Sequence, residues 1–364
     1  MRVLHVLGEL RASGGEVMLR DALGVFRDHG IETIVLSTGD QIGDFATQYH
    51  RLGVQTLHLP FERNGGFAAN FWRLIRTVGV DVVHVHTERA NAVMGFAARL
   101  AGKRVIRTVH SVFSYSGRLR RIRTVERAAL RAIGVRHISI GPSVERNEHE
   151  RLRNATMRVD NWIGPHFRPP SEVERDAARR LINLDPTVVA ITTIGNCSSV
   201  KNHVALLEAL PGIARELKRP IVYLHVGSGH AEHEERVLAN SSLPHGVAAR
   251  FLGTISDVRS LLWASDVYCM PSLYEGVGIA ALEALACGVP SVLADVDGLR
   301  DIHPQTAAVR YVRPDAAGVT AGISKVLTDT IGARTAALHA AQSVRLSRNV
   351  KQRAAELVRI YKSR

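Results

Sequence analysis

The sequence has few acidic residues and few aromatic residues. Its 364 residues include 34 Asp and Glu against 47 Lys and Arg, which gives a net charge of +13. Aromatic residues are only 5% of the chain, and no nucleic-acid-binding motif is present, so a nucleic-acid partner is not predicted. A positive excess of this size indicates anionic partners such as nucleotide phosphates or an acidic membrane surface.

Cysteine is also scarce. Cys197, Cys269 and Cys287 are odd in number and widely separated, and no CxxC pair or histidine at metal-ligand spacing accompanies them. We interpret them as reduced structural thiols.

Long hydrophobic runs are absent as well. None reaches the roughly 18 residues that a membrane-spanning helix needs. The N-terminal segment 1–7 is too short for a signal peptide and is predicted to be a first strand. We therefore expect a cytoplasmic protein.

The basic residues are concentrated in two segments. Between Arg99 and Arg131 there are ten Lys or Arg and one acid, and between Arg334 and Arg364 there are eight and one. Within the first segment, residues 118–130 have apolar side chains at helical spacing and arginines on the opposite face. A solvated face, a surface that lies on anionic lipid and a nucleic-acid contact are all open interpretations.

The length predicts two domains of roughly 150–200 residues each. In both halves, short apolar strand segments alternate with helical segments, which indicates two doubly wound α/β domains with parallel sheets. Residues 158–170 contain three prolines and a glycine and form the predicted linker. We predict a first domain over 1–165, a second over 166–345, and a basic amphipathic helix that begins at about Ser343 and fills 346–364.

The most informative stretch is Pro271-Ser-Leu-Tyr-Glu275-Gly-Val-Gly278-Ile-Ala-Ala-Leu-Glu283. It joins an apolar strand to a segment of high helix propensity through a Gly-rich turn. Such a turn leaves backbone N–H groups at a helix N-terminus, where a phosphate is favoured. The two carboxylates flank this position and can accept hydrogen bonds from hydroxyl groups, as a sugar nucleotide would require.

Other loops after predicted strands give weaker signals. Gly14-Gly15 is not a GxGxxG fingerprint, and a plain tight turn explains it equally well. The loop 195–203 carries Lys201 at a helix N-terminus, which can hold a diphosphate or be an ordinary surface lysine. The loop that contains Gly227 can approach a nucleotide or simply turn the chain, and His110 at a strand end is a functional or a structural polar group.

The Glu-x7-Glu spacing inside Pro-Ser-x-x-Glu-Gly-x-Gly, followed by Glu-Ala-x-Ala-x-Gly-x-Pro, resembles the retaining GT-B glycosyltransferases of family 4, also called glycosyl transferases group 1. The residues that match this family extend along nearly the whole chain and include Gly14, Gly15, His86, His110, Asn161, Lys201, Gly227, Gly229, Gly253 and Gly298. The resemblance implies two Rossmann-like domains facing across a cleft, with the acceptor on the first domain and the sugar nucleotide on the second. It also implies that the C-terminal helix returns to the first domain.

The activity that the resemblance implies is transfer of a sugar, with retention, from a nucleotide-sugar donor to a hydroxyl of a lipid-linked or cell-surface glycan precursor. A UDP-sugar is the favoured donor, no metal or other cofactor is expected, and peripheral contact with the inner face of an anionic cytoplasmic membrane is implied. A soluble natural-product acceptor, a weakly active sugar-nucleotide-binding protein and a sugar-nucleotide epimerase remain alternatives.

The same resemblance assigns roles to individual residues. The expected catalytic residues are His110, Glu275 and Lys201. The expected donor-binding residues are Gly14, Gly15, Asn196, Gly227, Gly276, Val277, Gly278, Ile279 and Glu283. Among these, Glu283 would bind the ribose, Glu275 the donor sugar and Lys201 the diphosphate.

Two positions depart from the family pattern or compete with it. Asn196 stands where the family usually has an arginine that joins the lysine on the diphosphate. Asp295-Val-Asp297 has the form of the metal-binding DxD motif of another glycosyltransferase fold, but that fold has a single nucleotide domain, whereas this chain predicts two doubly wound units.

Overall fold

The computed structural model describes residues 1–303 and 305–363 and divides into two compact units. Unit 1 comprises Met1–Trp162 together with the residues from Val350 onward, and unit 2 comprises Ile163–Asn349. For comparison, the sequence predicts divisions at 165 and 345.

Unit 1 contains a seven-stranded parallel sheet in the order β3-β2-β1-β4-β5-β6-β7. Its strands are β1 (Arg2–Leu7), β2 (Glu32–Ser37), β3 (Gln55–His58), β4 (Val82–Val85), β5 (Arg104–Val109), β6 (Arg136–Ser139) and β7 (Met157–Arg158). Its first helices are α1 (Gly14–Asp28), α2 (Ala46–Arg51), α3 (Gly65–Val78), α4 (Asn91–Leu100), α5 (Gly117–Ala132) and α6 (Pro142–Leu152). The central strands are buried because helices cover both faces of such a sheet, which explains their nearly continuous apolar sequences.

Unit 2 repeats this plan with a six-stranded parallel sheet in the order β10-β9-β8-β11-β12-β13. Its strands are β8 (Val189–Ile194), β9 (Ile221–Val226), β10 (Val247–Phe251), β11 (Val267–Met270), β12 (Ser291–Ala294) and β13 (Val309–Val312). Its helices are α7 (Glu172–Leu181), α8 (His203–Leu217), α9 (Glu232–Ser242), α10 (Arg259–Ala264), α11 (Ile279–Ala286), α12 (Ala316–Thr328) and α13 (Thr330–Ser347). The predicted class, two doubly wound α/β units with parallel sheets, is confirmed.

Local sequence explains where several helices begin. Asn64 accepts a hydrogen bond from the N–H of Phe67 at the start of α3. Ser171 and Glu174 form a reciprocal capping box at the start of α7. Each of these side chains satisfies N–H groups that a helix leaves unpaired in its first turn.

The helix predicted from Ser343 onward is divided in the structure. α13 ends at Ser347, and a separate helix, α14, runs over Val350–Lys362. The break occurs because Arg348 leaves helical geometry, and its carbonyl accepts a hydrogen bond from the N–H of Ile163, which forms an isolated bridge with Asn349. The end of the predicted helix, residue 364, lies outside the described residues.

Helix α14 belongs to unit 1, where it packs against α1. Tyr361 is fully buried, and its hydroxyl lies 2.6 Å from Nδ1 of His84 in β4. The guanidinium of Arg104 in β5 donates to the carbonyl of Tyr361. The last helix is therefore an integral part of the first unit.

In each sheet the chain begins at an inner strand and adds strands on one side of it. It then returns and adds the remaining strands on the other side, which reverses the strand order. This reversal lies between β1 and β4 in unit 1 and between β8 and β11 in unit 2. Loops that leave the carboxyl ends of such strand pairs diverge, so ligands of doubly wound proteins bind there. These two edges are where functional side chains are expected.

Candidate functional site

In unit 2, the loops after β8 and β9 are packed together so closely that they require glycine. A Cβ atom on Gly227 would lie 1.9 Å from the carbonyl oxygen of Gly195, and one on Gly229 would lie 2.3 Å from that of Cys197. Gly227 also has a φ of +138°, a conformation that side chains disfavour. Gly227, which the sequence predicts as a donor-binding residue, thus allows the backbones of the two loops to lie in direct contact.

The loops after β8 and β11 are joined by side chains from each. Lys201 Nζ lies 2.5 Å from Glu275 Oε1, and Ser272 donates to the same oxygen at 2.8 Å. Asn202 donates to the carbonyl oxygens of Pro271 and Pro314 at 3.0 and 2.8 Å. The Glu275 side chain is 11% exposed and that of Lys201 25% exposed, so this ion pair faces solvent only at its rim.

Helix α11 begins directly after this pair. Gly278, with a φ of +72°, is its N-cap, and a Cβ there would lie 2.6 Å from a methyl group of Leu299. Within residues 1–303 and 305–363, the N–H groups of Val277, Gly278 and Ile279 have no hydrogen-bond partner. Together with the helix dipole, these N–H groups make a positive end beside Lys201 that suits a phosphate group.

The two carboxylates predicted from the sequence both belong to this region. Glu283 lies on α11 and is 7% exposed, while Glu275 precedes that helix. The pKa of the Tyr268 hydroxyl is raised well above its ordinary value, first by burial and then by the negative charges of Glu275 and Glu283. Both carboxylates therefore act on the Tyr268 hydroxyl of β11.

Two other positions weighed from the sequence have clear surroundings. Asn196, which replaces the family arginine, is exposed at the end of β8. Both carboxylates of the DxD-like pair lie against one arginine, since Asp295 forms an ion pair with Arg300 at 2.6 Å and Asp297 lies 3.9 Å from the same guanidinium. Gly298 beside them packs a bare Cα against the carbonyl oxygens of Glu275 and Gly276.

In unit 1, Gly14 and Gly15 form the first turn of α1 after β1. A Cβ on Gly15 would have no heavy atom within 4 Å, so internal packing does not require glycine there. Ser13 donates to the carboxyl group of Glu16, whose pKa is raised by burial although this hydrogen bond opposes the effect. The start of α1 is thus open to a ligand.

His110 is the end of a row of three hydrogen-bonded histidines in unit 1. His86 Nδ1 lies 2.9 Å from His110 Nε2, and His86 Nε2 lies 3.0 Å from His5 Nδ1. Burial lowers the pKa of His110 to about 4, with a smaller contribution from Arg107, and burial lowers that of His5 to about 3. Each neutral imidazole has one N–H, so all three rings must donate in the same direction along the row. Whether His110 Nδ1 is a donor or an acceptor therefore depends on the tautomers of His86 and His5.

Beside His110 lies a network of buried charges that sequence reasoning missed. Glu88 forms ion pairs with Arg107 and Arg127, and Arg127 also binds Glu148 at 2.7 Å. Although burial acts to raise the pKa of Glu88, the two guanidinium groups hold it below its ordinary value. The network fixes the ends of β4 and β5. No local sequence motif indicates it, because its members come from four separate elements.

A second cluster that the sequence did not predict lies in unit 2. Cys197, His203, His225 and Glu235 are all buried, and one ligand atom of each lies within 4.8 Å of the others. His203 Nδ1 lies 3.1 Å from Glu235 Oε1, but the Cys197 sulfur is nearly equidistant, at 3.9 and 3.8 Å, from both ring nitrogens of His225. The sulfur therefore lies along neither nitrogen lone pair of His225, and Glu235 is hydrogen-bonded to His203 at the centre of this cluster.

All three cysteines are buried and unpaired within the described chain. Burial raises the pKa of the Cys287 thiol to about 12. Such thiols are protonated and unreactive at neutral pH.

Two family profiles match this chain, and both describe glycosyltransferases. The sequence profile of the family described as "Glycosyl transferases group 1" matches residues 186–329, and that of "Glycosyltransferase Family 4" matches residues 12–190. Together the two profiles span residues 12–329, which include Gly14, Gly15 and His110 of unit 1 and Lys201, Glu275 and Glu283 of unit 2.

Individual relatives are distant. EpsF of Bacillus subtilis, named as a glycosyltransferase, is 27% identical over 81% of this chain and 79% of its own length. The UDP-Gal:α-D-GlcNAc-diphosphoundecaprenol α-1,3-galactosyltransferase of Escherichia coli is 24% identical over 63% of this chain, and the match spans 61% of that relative. The crystal structure of HepE from Anabaena, in complex with UDP and glucose, covers 99% of both chains with a TM-score of 0.82 and 18% identity, a likeness that concerns the fold.

Proposed function

Because this chain belongs to the group 1 and family 4 glycosyltransferases, we propose that it transfers a sugar from a nucleotide-sugar donor to a hydroxyl group, with retention of configuration and without a metal ion. A UDP-sugar is the favoured donor. The favoured acceptor is a lipid-linked or cell-surface glycan precursor.

The observation that carries this proposal is the Lys201–Glu275 ion pair beside the N-terminus of α11. The ammonium group and the N–H groups of Val277 and Gly278 are the donors that a diphosphate requires. When a diphosphate binds the ammonium group of Lys201, the carboxylate of Glu275 becomes available to accept hydrogen bonds from sugar hydroxyls. The buried Glu283 would accept hydrogen bonds from the ribose.

Catalysis on this scheme consists of stabilising the negative charge that grows on the departing diphosphate. The N–H groups are held by a helix, and Lys201 has exchanged Glu275 for the diphosphate once the donor is bound, so they stabilise that charge without further reorganisation. Retention would follow if the acceptor attacks from the side of the leaving group, whose phosphate oxygen takes the acceptor proton. Glu275 is a weaker candidate for a covalent nucleophile, because its Oε1 also accepts a hydrogen bond from Ser272.

His110 is proposed to act as a neutral hydrogen-bonding group rather than as a cation. Its lowered pKa leaves it unprotonated at neutral pH, and its Nδ1, which forms no hydrogen bond with residues 1–303 or 305–363, can bind a sugar hydroxyl. The open turn at Gly15 is proposed to bind oxygens of the leaving group by its N–H groups.

The surface of α5 supports an acceptor that is presented on a membrane. Leu119, Ile122 and Val125 are exposed, the last at 67%, and lie on the same helix as the exposed Arg118 and Arg121. Exposed apolar residues with arginines beside them are typical of helices that lie in an anionic membrane surface. No helix within the described residues is long and apolar enough to span a bilayer.

The test is a screen of nucleotide sugars by thermal shift, followed by product analysis with the donor that binds. A donor that binds should be hydrolysed slowly alone and should yield a glycoside when an acceptor is added. Glu275→Gln should lower kcat at least tenfold while changing donor affinity less than threefold, because its contacts tighten as the sugar departs. A donor that binds but yields neither hydrolysis nor a glycoside would refute glycosyl transfer.

Asn196 favours one second candidate, a protein that binds the sugar nucleotide but turns it over weakly. An exposed amide cannot replace the charge of an arginine on a diphosphate. Under this alternative, Asn196→Arg should raise kcat at least tenfold, whereas an unchanged or lower kcat would show that another residue already supplies the charge. A sugar-nucleotide product instead of a glycoside would indicate an epimerase.

A further inference from the structure

The opposite edge of the unit 2 sheet carries a second group of charged side chains. Asp266 immediately precedes β11 and Pro290 immediately precedes β12, so both lie at the amino ends of strands. Lys201 and Glu275, in contrast, follow the carboxyl ends of strands. This second group lines a cavity of about 100 Å³ whose lining residues are Arg175, Asp266, Pro290, Val326, Thr330 and Arg334.

The one carboxylate that lines this cavity is already committed to other partners. Asp266 binds Arg175 at 2.6 Å and Arg179 at 3.3 Å, and it also accepts from the N–H of Ala190 at 2.8 Å. The single negative charge of Asp266 therefore lies against the guanidinium groups of both Arg175 and Arg179. Arg334 adds a third positive charge.

The third arginine, Arg334 on α13, is partly buried and forms no hydrogen bond or ion pair with residues 1–303 and 305–363. Asp329, the acid next along the chain, caps α13 through the N–H of Gly332. The three arginines carry three positive charges, against the negative charge of Asp266 and that of Asp329 next to Thr330, so one positive charge remains in surplus around the cavity. Burial lowers the pKa of both Arg175 and Arg334, as expected where cations lack sufficient counter-charge.

We propose that this cavity binds a small oxyanion, such as inorganic phosphate or the terminal phosphate group of a metabolite, through Arg334 and Thr330. Arg175 contributes positive charge beside them, while its Nη groups donate to the carbonyl oxygens of Trp263 and Ser265 and to Asp266. A guanidinium fork donates two parallel hydrogen bonds to such an anion, and the Thr330 hydroxyl can donate a third. The cavity is far smaller than the roughly 300 Å³ or more of ordinary ligand pockets, so it suits a single phosphate group and not a nucleotide.

This site is independent of glycosyl transfer, because it lies at the other end of β11 from Glu275. Binding of an anion at this site should increase the thermal stability of the protein. An anion that binds only the folded unit raises the melting temperature in a saturable way, and the unpaired charge of Arg334 makes unit 2 the part that responds.

The experiment measures the melting temperature of the full chain against inorganic phosphate up to about 50 mM, with sodium chloride at matched ionic strength as the reference. Arg334→Gln removes the unpaired charge and retains most of the side-chain volume. Arg345→Gln changes an exposed arginine on the same helix and is the matched control. Thr330→Ala is a milder second variant that retains both guanidinium groups.

We expect phosphate to raise the melting temperature of the wild type and of Arg345→Gln beyond the effect of chloride, with a half-maximal concentration in the millimolar range. Arg334→Gln should lose at least tenfold in apparent affinity, and Thr330→Ala two- to fivefold. Without phosphate, Arg334→Gln should be at least as stable as the wild type, because a partly buried unpaired charge has been removed. No phosphate-specific shift in the wild type, or equal shifts in the wild type and Arg334→Gln, would overturn the proposal.

Discussion

The buried histidines of unit 1 should make its stability fall steeply under mild acid. Burial lowers the pKa of His5 to about 3 and that of His110 to about 4, and it lowers the pKa of His137 to about 2 with help from Arg107 and Arg127. His84 and His86 are shifted in the same direction, chiefly by burial. All five are therefore neutral in the folded unit near neutral pH and titrate near 6.5 when unfolded.

Between the unfolded pKa of 6.5 and the folded values, the unfolded chain is protonated at these positions and the folded unit is not, so stability is lost as the pH falls through 6.5. From pH 7.5 to pH 5.5 each fully shifted histidine costs about 1.4 kcal/mol. His5, His110 and His137 together cost about 4 kcal/mol, which is a large share of the stability of an ordinary domain, and His84 and His86 act in the same direction.

The assay is equilibrium unfolding by urea at pH 7.5 and pH 5.5, followed by tryptophan fluorescence. Trp72 and Trp162 belong to unit 1 and Trp263 to unit 2, so a Trp263→Phe background reports unit 1. His5→Phe keeps the ring contact with Phe26 and removes one titrating group. The loss of stability between the two pH values should then be about 1.4 kcal/mol smaller than in the wild type, whatever the absolute stability of the variant.

The exposed His149 provides the control for this comparison, and His149→Gln should leave the pH dependence of the wild type unchanged. The reasoning would be refuted if His5→Phe lost as much stability on acidification as the wild type. It would also be refuted if unit 1 were equally stable at both pH values.

Three further predictions concern the candidate site and the basic surface. Glu283→Gln should weaken donor binding about tenfold, because an amide is a poorer acceptor for ribose hydroxyls than a carboxylate; unchanged affinity by calorimetry would contradict this role. Gly227→Ala should destabilise unit 2 by at least about 2 kcal/mol through its positive φ and its clash with Gly195, and an unaltered urea midpoint would show that the loops can separate. Replacing Arg118 and Arg121 by glutamine should at least halve co-sedimentation with anionic vesicles at low salt, and equal binding would exclude α5 as the contact.

The fold and part of the site could be predicted because they depend on local patterns. Continuous apolar strands between helical segments indicate parallel sheets, and one Gly-rich turn places Glu275 before a helix and Glu283 within it. The break between α13 and α14 could not be predicted, since a bridge between Ile163 and Asn349 interrupts an otherwise helical sequence. Tertiary pairing overrides propensity at that point.

The contacts that adjust the candidate site were beyond local prediction. Lys201 and Glu275 are 74 residues apart, and His5 and His86 are 81 residues apart. They meet because parallel strands bring their carboxyl ends to one edge, whatever their distance along the chain. The residue types can be read from the sequence, but which of them share a proton or a charge depends on strand order.

The net charge of +13 indicates anionic partners without saying how many, and the structure divides the basic residues among separate surroundings. Lys201 lies in an ion pair with Glu275, Arg334 lines a small cavity without a hydrogen bond or ion pair to the described residues, and Arg118 and Arg121 are exposed on α5. Salt screens exposed charges far more than partly buried ones. Raising the ionic strength should therefore abolish vesicle binding well before it weakens phosphate at Arg334 or a donor at Lys201, and parallel loss of all three would mean that a single diffuse basic surface accounts for them.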